Sequence, residues 1–292
     1  MRDVLLSIIT INYNGFKDTC AMIDSLPSCA VPMEVVVVDN GSANDEASAL
    51  AARYPDAIIV RSTDNLGFAG GNNLGIAAAH GRYLYFVNND TVFRSDAHIE
   101  RLIDRLEASP KTGMVCPKIR FTWDDSPLQF AGYTPLSPIT LRNHSIGYGE
   151  ADKGQYDTPH PTPYAHGAAM MVKREAIDRA GRMPECYFLY YEELDWSLMI
   201  TRAGYDIWYE PASTLYHKES QATGKDSPTK TYYLSRNRLL FARRNLSGLT
   251  RMLSYCYLAG VVGLRDTLKH YLHRRPDLAK ATLSGIAHFL KS

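Results

Sequence analysis

Long apolar runs are scarce in this 292-residue chain. The most apolar N-terminal stretch, residues 5–11, is far shorter than the roughly 20 residues a bilayer span needs, and no small-residue cleavage pattern follows it. It is expected to be a buried first strand. Cysteine is sparse too: Cys20, Cys29, Cys116, Cys186 and Cys256 are odd in number, scattered and never spaced C-x-x-C. That argues against a disulfide framework or a zinc site and fits a reducing, cytoplasmic compartment. Net charge is only +1, so no nucleic-acid partner is expected. No internal repeat is present, and no G-x-G-x-x-G, so a dinucleotide site loses its main support. What remains is a globular balance, 45% hydrophobic and 22% charged, in a length that suits one large domain plus an extension.

Residues 5–11, 35–38, 57–60 and 83–87 are short apolar or β-branched runs. Between them lie segments of helical length, such as 17–26 and 46–54. This alternation predicts βαβ units and an α/β fold with a mainly parallel sheet. Ligands of such sheets bind beyond the carboxyl ends of the strands. Those ends carry Asn12-Tyr13-Asn14-Gly15, Asp39-Asn40-Gly41-Ser42, Asp64-Asn65-Leu66-Gly67 and Asn88-Asn89-Asp90. Further on, residues 96–107 predict a helix and 114–121 a strand. Residues 123–163, rich in Pro, Gly, Tyr and His, predict an irregular insertion of the kind that covers a site. Residues 187–202 predict a helix capped at Gly204. After Pro228 the chain reads as helical, with a break near 273–276. The expected division is a catalytic domain over 1–225 and a basic helical extension over 226–292.

Each motif has a plain structural reading beside its chemical one. Asp39 can accept hydrogen bonds from a nucleobase or ribose, or close an Asx-turn. The glycines of Asn65-Leu66-Gly67-Phe68-Ala69-Gly70-Gly71-Asn72-Asn73 can admit a ligand to the backbone, or form a tight turn before a helix. Asp90, behind Asn88 and Asn89, suits a hard cation that takes one or two carboxylates plus phosphates, or caps the next helix. Glu192, Glu193 and Asp195 crowd three carboxylates into four positions. Such crowding raises a pKa toward the range useful to a general base, or simply marks an acidic helix start. His217 closes a predicted strand at residues 211–217, as a metal ligand or a structural histidine.

In this order the segments resemble glycosyltransferase family 2, the inverting transferases of GT-A fold, and especially their bacterial rhamnosyltransferase-like branch. The resemblance runs from residue 7 to about residue 241. It implies that Asp39 holds the base or ribose and that the stretch containing Gly67, Phe68, Gly70 and Asn72 lines the nucleotide site. Thr10, Asn12, Asn14, Asn40, Gly41 and Asn65 complete that expected edge. Asn88-Asn89-Asp90 would stand in for the family's D-x-D metal motif, with Asp90 its only carboxylate and His217 completing a Mg²⁺ or Mn²⁺ shell. The family's base falls on Glu193; Asp195 is the alternative base, and Glu192 would position the acceptor. Arg236, within Tyr232-Tyr233-Leu234-Ser235-Arg236-Asn237-Arg238, would face the diphosphate.

The implied reaction moves a sugar from a dTDP- or UDP-linked donor to a glycan or lipid-linked glycan. L-Rhamnose from dTDP-rhamnose is the first choice, and UDP-hexose or UDP-HexNAc transfer the second. A non-catalytic nucleotide- or glycan-binding module is the reading from another class. A processive synthase lacks its Q-x-x-R-W segment here, and a nucleotidyltransferase would open with a Gly-rich basic loop. From Arg236 onward Lys and Arg far outnumber the acids Asp266 and Asp277. The extension can therefore lie on the inner face of an anionic bacterial membrane, or pack as a helical hairpin or homodimer surface.

Overall fold

Four of the apolar runs form one parallel block. In the computed structural model, which describes residues 4–28, 30–94, 98–123, 125–218 and 227–292, these are β1 (Leu6–Asn12), β2 (Met33–Asn40), β3 (Ile58–Ser62) and β4 (Tyr83–Val87). They lie in the order β3-β2-β1-β4, all parallel. Helices α1 (Phe16–Asp24), α2 (Glu46–Arg53) and α3 (Gly67–Ala78) make the crossovers. Ile8, Ile9, Val36, Val37 and Val38 are fully buried, as strands covered on both faces require. Asp45 opens α2 by accepting from the Ser48 N–H at 3.3 Å, a side-chain cap.

The sheet continues through β5 (Thr91–Phe93), β6 (Thr112–Phe121), β7 (Leu128–Phe130), β8 (His160–Pro161), β9 (Ala169–Lys173) and β10 (Asp206–His217). Strand β9 lies antiparallel between β4 and β6, and β10 runs parallel to β6. Sequence reasoning missed β9, because Ala-Met-Met-Val-Lys has one β-branched residue; its place between two apolar strands overrides weak propensity. The expected insertion over 123–163 is irregular apart from β7 and β8. The helix predicted from residue 96 is described as α4 (His98–Glu107); Asp96 lies outside the described residues, as does Cys29. The other four cysteines are free.

After α5 (Arg174–Ala180) the helix expected from residue 187 begins later, as α6 (Glu192–Arg202). A 3₁₀ turn, Glu185–Tyr187, precedes it, and Phe188, Tyr190 and Tyr191 take positive φ of 68°, 69° and 79°. At its other end Gly204, at φ 94°, and Tyr205 donate back to Thr201 and Ile200, the paired bonds of a Schellman stop. Trp196 anchors α6, its ring meeting Phe86 edge-on at 5.4 Å and its N–H donating to Gly181.

The extension comprises α7 (Pro228–Asn245), α8 (Gly248–Tyr255), a π-helical segment Cys256–Val262, α9 (Gly263–Leu272) and α10 (Pro276–Lys291). The expected break falls at residues 273–275, and a second at 246–247. The boundary drawn at 225/226 lies outside the described residues. Leu239, Phe241, Leu258 and Phe289 share one apolar cluster with Leu141, Tyr187 and Tyr191, so the extension packs against the start of α6. No described helix is long and apolar enough to cross a membrane.

Candidate active site

The carboxyl ends of β1 and β2 are tied by one polar network. Asn12 Nδ2 donates to Asp39 Oδ1 at 3.0 Å and Glu46 Oε2 at 2.8 Å, while its Oδ1 accepts from Thr19. Asn14 Oδ1 accepts from the Ala43 N–H, and Ser42 donates to Asp39. Asp39 is buried and held by two donors on one oxygen. Asn89 reaches the same network through Thr19 at 3.0 Å. Thr10 is fully buried in β1, and its hydroxyl has no partner. Ser42 belongs to the strand-end motif read from sequence, whereas Thr19 and Glu46 were not singled out. A carboxylate or hydroxyl on a helix facing the sheet edge is visible only once α1 and α2 are docked.

The glycine-rich segment begins α3. Asn40 accepts from the Leu66 N–H at 3.0 Å and donates to Asn65 Oδ1 and the Gly67 carbonyl. Gly67 has φ 71°, and a Cβ there would lie 2.1 Å from the Phe188 carbonyl oxygen, to whose residue Phe68 N–H donates at 2.7 Å. The glycine therefore permits close approach of the turn before α6. Gly70 faces Leu66 and Gly41 the backbone of Asp64, and Asn72 donates to the Phe68 carbonyl. All these contacts are internal to the fold and build the wall of the edge.

Beyond β4, Asp90 and His217 meet. His217 Nε2 lies 3.0 Å from Asp90 Oδ1, and its Nδ1 is 2.8 Å from Gln129 Oε1. Gln129 thus holds one ring nitrogen and the other faces the carboxylate, so the ring is oriented from both sides. Gln129 comes from the insertion, where no sequence signal marked it. Asn88 sets the loop through its backbone, with its N–H to Ala168 at 2.9 Å and its carbonyl accepting from Thr91. No group of three His, Cys, Asp or Glu side chains converges among the described residues. The Asp90–His217 pair offers one carboxylate and one imidazole, a donor set that a divalent cation could complete with phosphate and water oxygens.

One dipeptide links this pair to the carboxylates of α6. The His166 ring faces His217 at 6.3 Å, and a Cβ on Gly167 would lie 3.8 Å from Glu193 Cγ and 3.9 Å from the Phe68 ring. His166 Nδ1 accepts from the Ala168 N–H. Burial, and then the neighbouring His217, push its imidazole down to about 3.

The three carboxylates at the start of α6 differ in surroundings. Glu192 is 3% exposed with Oε2 unpartnered; burial and then the Glu193 charge hold its pKa well above the carboxylate range. Burial raises Glu193 as well, but the backbone N–H groups of Glu193, Leu194 and Tyr191 pull it back, and its side chain is only half-buried. Asp195 is buried and held by Tyr187 Oη at 2.9 Å, Asn245 Nδ2 at 2.9 Å and the Arg244 guanidinium. Those donors make it a strut to α7. Arg236, expected at the diphosphate, donates to the Cys186 and Tyr187 carbonyls at 2.9 and 2.6 Å, so it secures the turn before α6.

The raised Glu192 pKa predicts a pH-dependent cost. Below its unfolded value, near 4.5, the group is protonated in both states and costs nothing. Above that value the unfolded chain ionises while the folded one keeps its proton, so stability falls by about 1.4 kcal/mol per pH unit up to the folded pKa. Glu192→Gln should match the parent near pH 4.5 in urea denaturation and exceed it increasingly toward pH 7. A pH-independent difference would mean that Glu192 is ionised in the folded protein.

An open α/β sheet flanked by helices, with polar side chains gathered at the carboxyl ends of its parallel strands, is the architecture of the GT-A glycosyltransferases. Residues 7–181 match Glycosyl transferase family 2, and the chain belongs to that family. It is 24% identical over 98% of its length to a low-salt glycan biosynthesis hexosyltransferase, Agl10, of Haloferax volcanii, covering 91% of that protein. It is 25% identical over 92% of its length to an N-acetylglucosaminyl-diphospho-decaprenol L-rhamnosyltransferase of Mycobacterium tuberculosis, covering 93% of it. Among solved structures it is similar to a Pyrobaculum calidifontis mannosyltransferase in complex with GDP-Man and Mn²⁺, with TM-score 0.60, 18% identity, and coverage of 97% of this chain and 75% of that one. Staphylococcus aureus TarS 1–349 in complex with UDP-GlcNAc has TM-score 0.60 at 14% identity, covering 95% and 79%.

Proposed function

We propose that this glycosyltransferase inverts the anomeric centre of a nucleotide-linked sugar, with Glu193 as general base and Asp90 with His217 as the ligands of a divalent cation, Mg²⁺ or Mn²⁺. The observation that carries the reading is the His166–Gly167 dipeptide, with the Asp–His pair on one side and Glu193 on the other. The cation supplies positive charge for the leaving diphosphate. The network of Asn12, Asn14, Asp39, Asn40 and Gly41 binds the nucleoside, and the Gly67–Asn72 wall with Phe68 closes the sugar end. Glu192 stays protonated beneath the surface, which leaves Glu193 the anion of the pair. That carboxylate takes the proton of an acceptor hydroxyl as its oxygen attacks the anomeric carbon from the face opposite the diphosphate. Asp195 serves α6 as a support, not as the base.

The Mycobacterium tuberculosis relative, similar over nearly the whole chain, favours L-rhamnose from dTDP-rhamnose and a lipid-linked glycan acceptor. Structural neighbours were solved in complex with GDP-Man and with UDP-GlcNAc, and the latter supports UDP-linked sugar transfer as the second reading. A lipid-linked acceptor would bring the enzyme to the cytoplasmic face of a membrane.

A thermal-shift panel of dTDP, UDP and GDP with and without Mn²⁺ tests the donor site. A ligand at 100 times its Kd adds about 2.7 kcal/mol, a rise of about 4 °C for a chain this long. The rise should require Mn²⁺ and vanish in Asp90→Ala. A metal-independent rise that survives Asp90→Ala would remove the cation from the reading, and no rise with any nucleotide would remove the donor site.

A further inference from the structure

Helix α8, the π-helical segment and α9 run on without a break in helical backbone: Cys256 has φ −59° and ψ −42°, and Gly263 φ −59° and ψ −45°. Residues 248–272 thus form a single rod about 37 Å long. One side is packed. Ser254, Leu258, Val262 and Gly263 are buried, and a Cβ on Gly263 would lie 2.5 Å from Ile286 of α10. The outward side carries Leu249, Met252, Val261, Leu264, Leu268 and Leu272, each 58–74% exposed. Large apolar side chains exposed in a continuous row are uncommon on a monomer and mark a binding surface.

The charges beside the row say what covers it. Arg251, Lys269 and Arg274 are exposed and meet no carboxylate among the described residues. The acids of this region, Asp266 and Asp277, are already paired with Arg265 and Arg275. Four charged residues within the rod, Arg251, Arg265, Asp266 and Lys269, and the packing of one side against α10 argue against a bilayer span. A second copy docked leucine to leucine would bring two cationic flanks together. A surface that is apolar inside and anionic at its rim satisfies both features.

We propose that the rod lies in the plane of an anionic phospholipid bilayer, with the leucine row at the boundary of headgroups and acyl chains and Arg251, Lys269 and Arg274 against lipid phosphates. The orientation of the cleft follows from two attachments. Ser254 Oγ donates to the Ile139 carbonyl of the insertion at 2.8 Å, and Leu258 packs in the cluster that holds Tyr191 at the start of α6. Docking of the rod would therefore fix the position of the catalytic helix relative to the lipid surface.

Co-sedimentation of the full chain with phosphatidylglycerol or phosphatidylcholine vesicles tests this without donor, metal or acceptor, so its outcome is separate from that of the chemistry at Glu193. The parent should prefer phosphatidylglycerol and lose that preference at high salt. Leu264→Gln/Leu268→Gln/Leu272→Gln should weaken binding about tenfold or more, with circular dichroism and nucleotide thermal shifts unchanged because these side chains are exposed. Arg251→Gln/Lys269→Gln/Arg274→Gln should abolish the lipid preference and the salt effect. The proposal is overturned if both variants bind vesicles as the parent does. It is equally overturned if the parent is a dimer that the leucine variant dissociates, with no vesicle binding by either.

Discussion

Glu193→Gln is expected to lower kcat by about 10²–10⁴-fold, the contribution of a positioned general base, while leaving donor affinity and fold intact. The substitution keeps the shape of the side chain and its access to the N–H groups at the start of α6. It removes only the ability to take a proton. Donor binding, measured by the nucleotide thermal shift, should not change, since the base contacts the acceptor. The parent's kcat/KM should fall as pH drops through the Glu193 pKa, which burial raises above the ordinary carboxylate value, and the residual activity of the variant should lack that limb. Asp195→Asn makes the contrast. Its carboxylate is occupied by Tyr187, Asn245 and Arg244, so the loss should be of stability first. Near-parental transfer by Glu193→Gln would remove the general base from the mechanism.

The parallel half of the sheet was legible because its signals are local. Residues 83–87 are apolar without interruption, and the strand Tyr83–Val87 has those bounds. Strand ends and their polar residues could likewise be read directly, since βαβ geometry sends them to one edge. What was not legible depends on distant partners. Residues 187–202 read as one helix because apolar and acidic residues recur there at helical spacing. Helix α6 starts only at Glu192, since three aromatic residues before it adopt left-handed backbone that bulky side chains seldom take. Gln129 and the unequal burial of Glu192 and Glu193 were equally hidden. The first comes from an insertion without periodicity, and the second from which of two adjacent carboxylates faces the core.

The left-handed turn requires an external support, and Asn237 of α7 supplies it. This side chain is fully buried, and its Nδ2 donates to the carbonyls of Tyr187, Leu189 and Tyr190 at 3.0, 2.7 and 2.9 Å. Its Oδ1 accepts from Arg236 Nε at 2.8 Å. Positive-φ residues in such turns cost about 1–3 kcal/mol each and persist only where surroundings hold them. The Tyr187 carbonyl keeps the Arg236 guanidinium, whereas loss of the Asn237 donor at the other two carbonyls costs about 1–3 kcal/mol each. Asn237→Ala should therefore destabilise the protein by about 3–5 kcal/mol in urea denaturation, the sum being reduced by relaxation of the turn. Activity should fall further than stability alone explains. Phe188 leads through its carbonyl to the Phe68 N–H and the Gly67 wall, and Tyr191 leads directly into Glu192 and Glu193. Displacement of the base by about 1 Å is enough for a loss of about 10²-fold in kcat, measured on folded protein well below its melting temperature. Loss of stability with unchanged kcat would mean that α7 supports the fold without positioning Glu193.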